Sequence, residues 1–103
     1  MLETRWNFRV PMELTIKLGL GHSEPLQART RDVSFNGMFV YTDRRDIPQN
    51  TSVEVEFNNG ERSVCAPAVV VRSTPEGLGV TFPDADDSVA DALSSVMEQG
   101  LGR

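Results

Sequence analysis

At 103 residues, 39% hydrophobic and 24% charged, the chain has room for one globular domain and too much apolar content for a disordered tail. A net charge of −5 disfavours a sequence-independent nucleic-acid binder, which needs a basic surface, and the single cysteine, Cys65, excludes an intrachain disulfide. The charge is uneven, +1 over residues 1–32 and −6 over residues 33–103. A small anion therefore finds its cations in the first part, while the acidic remainder suits a basic partner. No apolar run approaches the ~20 residues of a membrane helix. Residues Met1 to Arg5 lack the apolar core of a secretion signal. A cytoplasmic protein with no direct membrane insertion is expected.

In chain order the dominant period is two. Met12, Leu14, Ile16 and Leu18 alternate with Glu13, Thr15 and Lys17, the pattern of a half-buried strand. Residues 19–25 are turn chemistry. Leu26 to Val33 is a second strand, Met38 to Tyr41 a third, and Val53, Val55 and Phe57 mark a fourth. Asn58-Asn59-Gly60 predicts a hairpin, because these residues tolerate positive φ. The fifth strand follows from about Arg62 to Arg72. Pro75-Glu76-Gly77 turns the chain again, and Gly79 to Phe82 is the sixth. Six short strands joined by turns favour an all-β barrel or sandwich. Over 86–99 the period becomes helical: Asp86 or Asp87 caps, Val89, Leu93, Val96 and Met97 form an apolar stripe expected to pack on the strands, and Gly100 stops the helix.

Two short motifs stand out. Arg5-Trp6-Asn7-Phe8-Arg9 is an Arg-x-x-x-Arg just before the first strand, and Asp32-Val33-Ser34-Phe35-Asn36-Gly37 is an Asp-x-Ser-x-x-Gly between two strands. Arginine offers a planar fork of donors for a phosphate or for guanine O6 and N7, and it stacks on a base face. Two arginines four apart on extended chain share a side and lie at most ~13 Å apart. Asp32 can accept from the donors of a guanine edge, Ser34 both donates and accepts, and Gly37 permits close approach. Asn36 suits positive φ. Each residue also has a structural reading, as solvated arginines or as a turn built by Asp and Ser.

The order and placement of the motifs resemble the PilZ family. Arg9-Val10-Pro11, Gly37-Met38-Phe39-Val40 and Gly77-Leu78-Gly79-Val80-Thr81-Phe82 agree with it. The resemblance runs from Arg5 to about Phe82, with the final helix also expected. It implies a bacterial signalling module with the fold of a six-stranded antiparallel β-barrel and a C-terminal helix. The whole of 1–103 would be one domain: an N-terminal ligand-binding loop (1–10), the barrel (11–83) and the helix (86–99). The implied ligand is cyclic di-GMP, held by Arg5, Arg9, Asp32, Ser34 and Gly37, with Trp6 and Asn36 as possible additions. Many relatives carry a second arginine where Trp6 stands, so Trp6 either stacks on a guanine or packs on the barrel, with packing preferred. Ligand binding would reorder the N-terminal loop and regulate a protein effector in trans. In relatives such effectors include motility, chemotaxis, kinase and polysaccharide-export machinery. The alternative is a nucleotide-independent adaptor.

No catalytic residue, metal or cofactor is expected. Ser34, His22 and Asp32 lack the nucleophile elbow and oxyanion hole of a hydrolase. His22 has no histidine partner for a metal, and Gly19-Leu20-Gly21 is no dinucleotide fingerprint. Cys65, among Val and Ala, is expected to be a small buried hydrophobe. Arg44 and Arg45 are read as solvated, with a phosphate contact as the alternative if their loop lies beside the site.

Overall fold

The computed structural model describes residues 9–21, 24–44 and 46–101. Arg5, Trp6, His22 and Arg45 therefore lie outside the described residues. The strands are β1 (Arg9–Pro11), β2 (Thr15–Gly19), β3 (Leu26–Ser34), β4 (Gly37–Tyr41), β5 (Ser52–Asn58), β6 (Ser63–Ser73) and β7 (Gly77–Thr81), followed by helix α1 (Asp87–Leu101). All pairings are antiparallel. Strands β3, β2, β5, β6, β7 and β4 follow one another around the sheet, and β4 pairs back onto β3. The result is a closed six-stranded barrel, as expected, and closure leaves its ring without free edges.

Alternation fills the interior. Ile16 and Leu18 from β2, Val55 and Phe57 from β5, Ala66, Ala68 and Val70 from β6, and Leu78 and Val80 from β7 are all buried in one core. The β5–β6 hairpin turns as its sequence predicts. Gly60 takes φ +101°, and the side-chain oxygens of Asn58 and Asn59 accept from Gly60, Glu61 and Arg62 amides.

The additional strand is β1. The apolar alternation of Met12 to Leu18 predicts one strand, but only Thr15 onward is strand, as β2; Met12 to Leu14 lie in no strand, and β1 precedes them. Pro11 pairs with Asp32 and Thr15 with Arg29, so one extra residue is taken up between them. Thr30, buried there, spans the break: its hydroxyl donates to the Met12 carbonyl (2.8 Å) and accepts from the Leu14 amide (3.0 Å). Arg9 and Val10, expected in an N-terminal loop over 1–10, instead sit in β1 against Ser34 and Val33.

Helix α1 lays its apolar stripe on the barrel. Val89, Leu93, Val96 and Met97 are buried, and the helix packs against β1, β3 and β6. Asp86 is the cap, accepting from the Val89 amide at 3.0 Å. Replacing Asp86 with Ala is expected to cost about 1 kcal/mol, lowering Tm by roughly 4–8 °C in a thermal melt. An unchanged Tm would mean that the cap contributes nothing. Gly100 does not stop the helix, which runs on to Leu101. Its role is clearance: a Cβ there would lie 3.0 Å from both Met12 Sδ and Val10 Cγ1.

Cys65 corrects an expectation. Val64 and Ala66 take the inward positions of β6, so Cys65 between them is exposed. Partial desolvation, with the Glu54 and Glu56 carboxylates beside it, pushes its thiol up from the ordinary value. That disfavours the reactive thiolate. Among the described residues no helix is long and apolar enough to cross a membrane.

Candidate functional site

Two β-bulges decide which side chains reach the outer face of the barrel. On β3, Thr30 pairs with Val40 and Asp32 with Phe39, so Arg31 is an extra residue. Strict alternation from Ala28 and Thr30 would point Asp32 into the barrel. The bulge reverses the phase, turning Val33 inward against Val10 and Met38 and placing Asp32 and Ser34 outside. On β6, Val70 pairs with Val80 and Arg72 with Gly79, so Val71 is extra. Both bulges border the Phe39–Gly79 pair of β4 and β7. Asp32, Phe39, Gly79 and Arg72 thus form one row across four strands.

Asp32 organises one end of this row. It is 8% exposed and accepts from two guanidinium groups. Arg9 reaches Oδ1 with Nε at 2.7 Å and Nη2 at 2.6 Å, and Arg31 reaches Oδ2 with Nε at 2.8 Å. Arg31 also approaches Glu76 at 3.6 Å across the outer face. The Asp32 hydrogen bond is the main cause holding the Arg31 pKa above its ordinary value. Arginine is a cation at any ordinary pH, and Arg31 is placed by its contacts with Asp32 and the Phe39 ring.

Phe39 is the floor. It is 1% exposed yet stands outside the barrel core, whose β4 members are Met38 and Val40. The Arg31 guanidinium covers its ring at 4.0 Å, Arg72 lies 5.9 Å from the centroid, and Tyr41 meets it edge-on at 6.2 Å. Gly77 makes room for it, since a Cβ there would lie 2.9 Å from Phe39 Cε1. Together Arg9, Arg31, Phe39, Arg72 and Gly79 line a cleft of about 360 Å³.

The second motif also shapes the β3–β4 turn. Ser34 is buried, and its hydroxyl proton is shared between Asn36 Oδ1 (3.1 Å) and the Gly37 carbonyl (3.2 Å). A Cβ on Gly37 would collide with the Val80 carbonyl oxygen, so glycine is required there by close approach of β7. Asn36 does not use positive φ, the property for which it was singled out. Its carbonyl instead anchors the end of β7, accepting from the Thr81 hydroxyl (3.0 Å) and the Phe82 amide (2.9 Å).

Of the residues singled out by sequence, Arg9, Asp32, Ser34, Asn36 and Gly37 come together. Arg5 and Trp6 lie outside the described residues. Arg44, read as solvated, pairs with Asp46 at 2.7 Å. Sequence reasoning missed Arg31, Phe39, Arg72 and Gly79. Phe39 was hidden in an apolar run, and the arginines depend on bulges that alternation does not announce.

The family model described as PilZ domain matches residues 3–99. The chain is similar in fold to the PilZ domain of CeSA from a cellulose-synthesizing bacterium, at 15% identity and TM-score 0.76, over 94% of this chain and 100% of that one. It is also similar to an uncharacterized Legionella protein, at 17% identity and TM-score 0.57, over 89% of this chain and 91% of that one. No curated protein matches.

Proposed function

The chain belongs to the PilZ domain family, and on that premise we propose that it binds cyclic di-GMP across Arg9, Asp32, Ser34 and Gly37 and relays occupancy to a protein partner. PilZ domains are binding and signalling modules rather than enzymes, and cyclic di-GMP is the ligand for which the family is known. The observation that carries the reading is the Asp32 carboxylate holding the Arg9 and Arg31 forks side by side on the outer barrel face.

The chemistry matches the ligand. Cyclic di-GMP is a dianion bearing two guanines. A guanidinium fork chelates guanine O6 and N7 or a phosphate, and a carboxylate accepts from the guanine donors. Arginines already held on a carboxylate lose less freedom when an anion binds. Arg5, four residues before Arg9, would add a further fork from the N-terminal segment, with Trp6 stacking on a base or packing beneath it. Movement of that segment over the ligand is the change a partner would read.

A nucleotide-independent adaptor is the second reading, and one observation favours it. Ser34 and Gly37 are accounted for by the turn alone, through the shared hydroxyl proton and the close approach of Val80.

Calorimetric titration separates the two. Cyclic di-GMP is expected to bind saturably at micromolar or lower concentration, and GTP not at all. Arg9→Ala is expected to remove a charge-assisted contact worth about 2–5 kcal/mol, a loss of about 30-fold or more in affinity. Binding by that variant equal to the parent's would show the site to be misplaced. No binding by the parent would leave the adaptor.

A further inference from the structure

Resting on the reading above, we infer that Arg72, which belongs to neither motif, is a third ligand-contacting guanidinium of the same cleft. The backbone supplies the first argument. Val64, Ala66, Ala68 and Val70 point inward along β6, and unbroken alternation would send residue 72 inward as well. The bulge at Val71 prevents this and sets Arg72 opposite Gly79 on the outer face. The bulge at Arg31 does the same for Asp32 at the other end of the row. A bulge disrupts local ladder pairing and re-aims a side chain. Here two of them converge on one cleft.

Charge supplies the second argument. Arg9 and Arg31 share Asp32, and Arg31 also approaches Glu76. Among the described residues no carboxylate lies within ion-pair distance of Arg72, whose guanidinium lies 5.9 Å from the centroid of the Phe39 ring. Three guanidinium groups against two carboxylates leave this region positive on a chain of net charge −5. The unneutralised cation is the one best able to take an anion's charge.

Space supplies the third. Gly79 has no side chain, and a Cβ there would lie 3.5 Å from Arg72 Cβ, so the cleft stays open directly beside the Arg72 stem. From that position the fork can reach a phosphate or a guanine O6–N7 edge, and its flat face can stack on a base.

The test is calorimetric titration of cyclic di-GMP into the parent, Arg72→Ala, Arg72→Lys, Arg9→Ala and, as a control, Arg62→Ala, an exposed arginine in the turn just before β6. Each is measured at two salt concentrations, with a thermal melt to confirm folding. Arg72→Ala is expected to bind about tenfold more weakly or worse, with a shallower salt dependence. Arg72→Lys should fall between, keeping the charge and losing the fork, and Arg62→Ala should match the parent. If Arg72→Ala binds like the parent while Arg9→Ala does not, the inference fails and the proposed function stands. Equal losses in Arg72→Ala and Arg62→Ala would reduce the effect to general surface charge and also overturn it. No binding by the parent would overturn both.

Discussion

Replacing Asp32 with Ala is expected to weaken cyclic di-GMP binding by about 100-fold or more, roughly 3 kcal/mol, while leaving the barrel folded. The variant removes an acceptor for guanine donors, and it also releases both forks that Asp32 holds. One effect opposes the loss. The cleft gains a unit of positive charge, which attracts a dianion, but at solvated sites a single charge contributes up to about 1 kcal/mol and is screened by salt. The loss of contacts and order therefore wins, and it should persist at high salt. Stability should change little. The side chains of Arg9 and Arg31 are 43% and 38% exposed, so both can be hydrated once their partner is gone. A cost of about 1 kcal/mol, or 4–8 °C in Tm, is expected. A folded Asp32→Ala protein that binds within threefold of the parent would remove the carboxylate from the site.

The same residue shows how far the sequence could be read. The strands of the barrel follow from alternation, because a barrel wall has one apolar and one wet face and a period of two registers it. The Asp-x-Ser-x-x-Gly spacing marked Asp32 and Ser34 as a pair. Alternation, however, directs Asp32 inward, and only the bulge at Arg31 brings it out. A bulge is one additional residue absorbed between two pairs, and its location depends on the partner strand, which a linear reading cannot contain. Arg72 was invisible for this reason, and so was the break between β1 and β2 that Thr30 spans. Cys65 failed differently. A run rich in Val and Ala reads as uniformly buried, yet β6 has the same two faces as its neighbours, and Cys65 took the wet one. Gly100 carried a stop signal that the helix overrides, since its missing side chain is used against Met12 and Val10.

Replacing Gly77 with Ala is expected to be the most damaging single-atom addition to the fold, whereas the same change at Gly79, two residues away, should be tolerated. Both glycines lie on β7 facing β4 across the outer surface, paired with Tyr41 and Phe39 respectively. At Gly77 a Cβ would collide with the Val40 carbonyl oxygen and lie 2.9 Å from Phe39 Cε1. The first of these is backbone held in the β4–β7 ladder, and the second belongs to a ring already enclosed by Arg31, so neither can yield cheaply. Overpacking of this kind costs about 3 kcal/mol or more. A domain of this size has about 5–15 kcal/mol of stability, and Tm should fall by roughly 12–24 °C. At Gly79 the nearest atoms would be Arg72 Cβ at 3.5 Å and Val71 Cγ2 at 3.9 Å, which is ordinary contact. Gly79→Ala should therefore melt close to the parent. Its added methyl would project into the cleft and weaken the ligand instead. Thermal melts of the two variants, followed by titration of whichever folds, separate the glycine that builds the floor from the one that keeps it clear. Equal melting temperatures would show that the β4–β7 seam relaxes more readily than its packing implies.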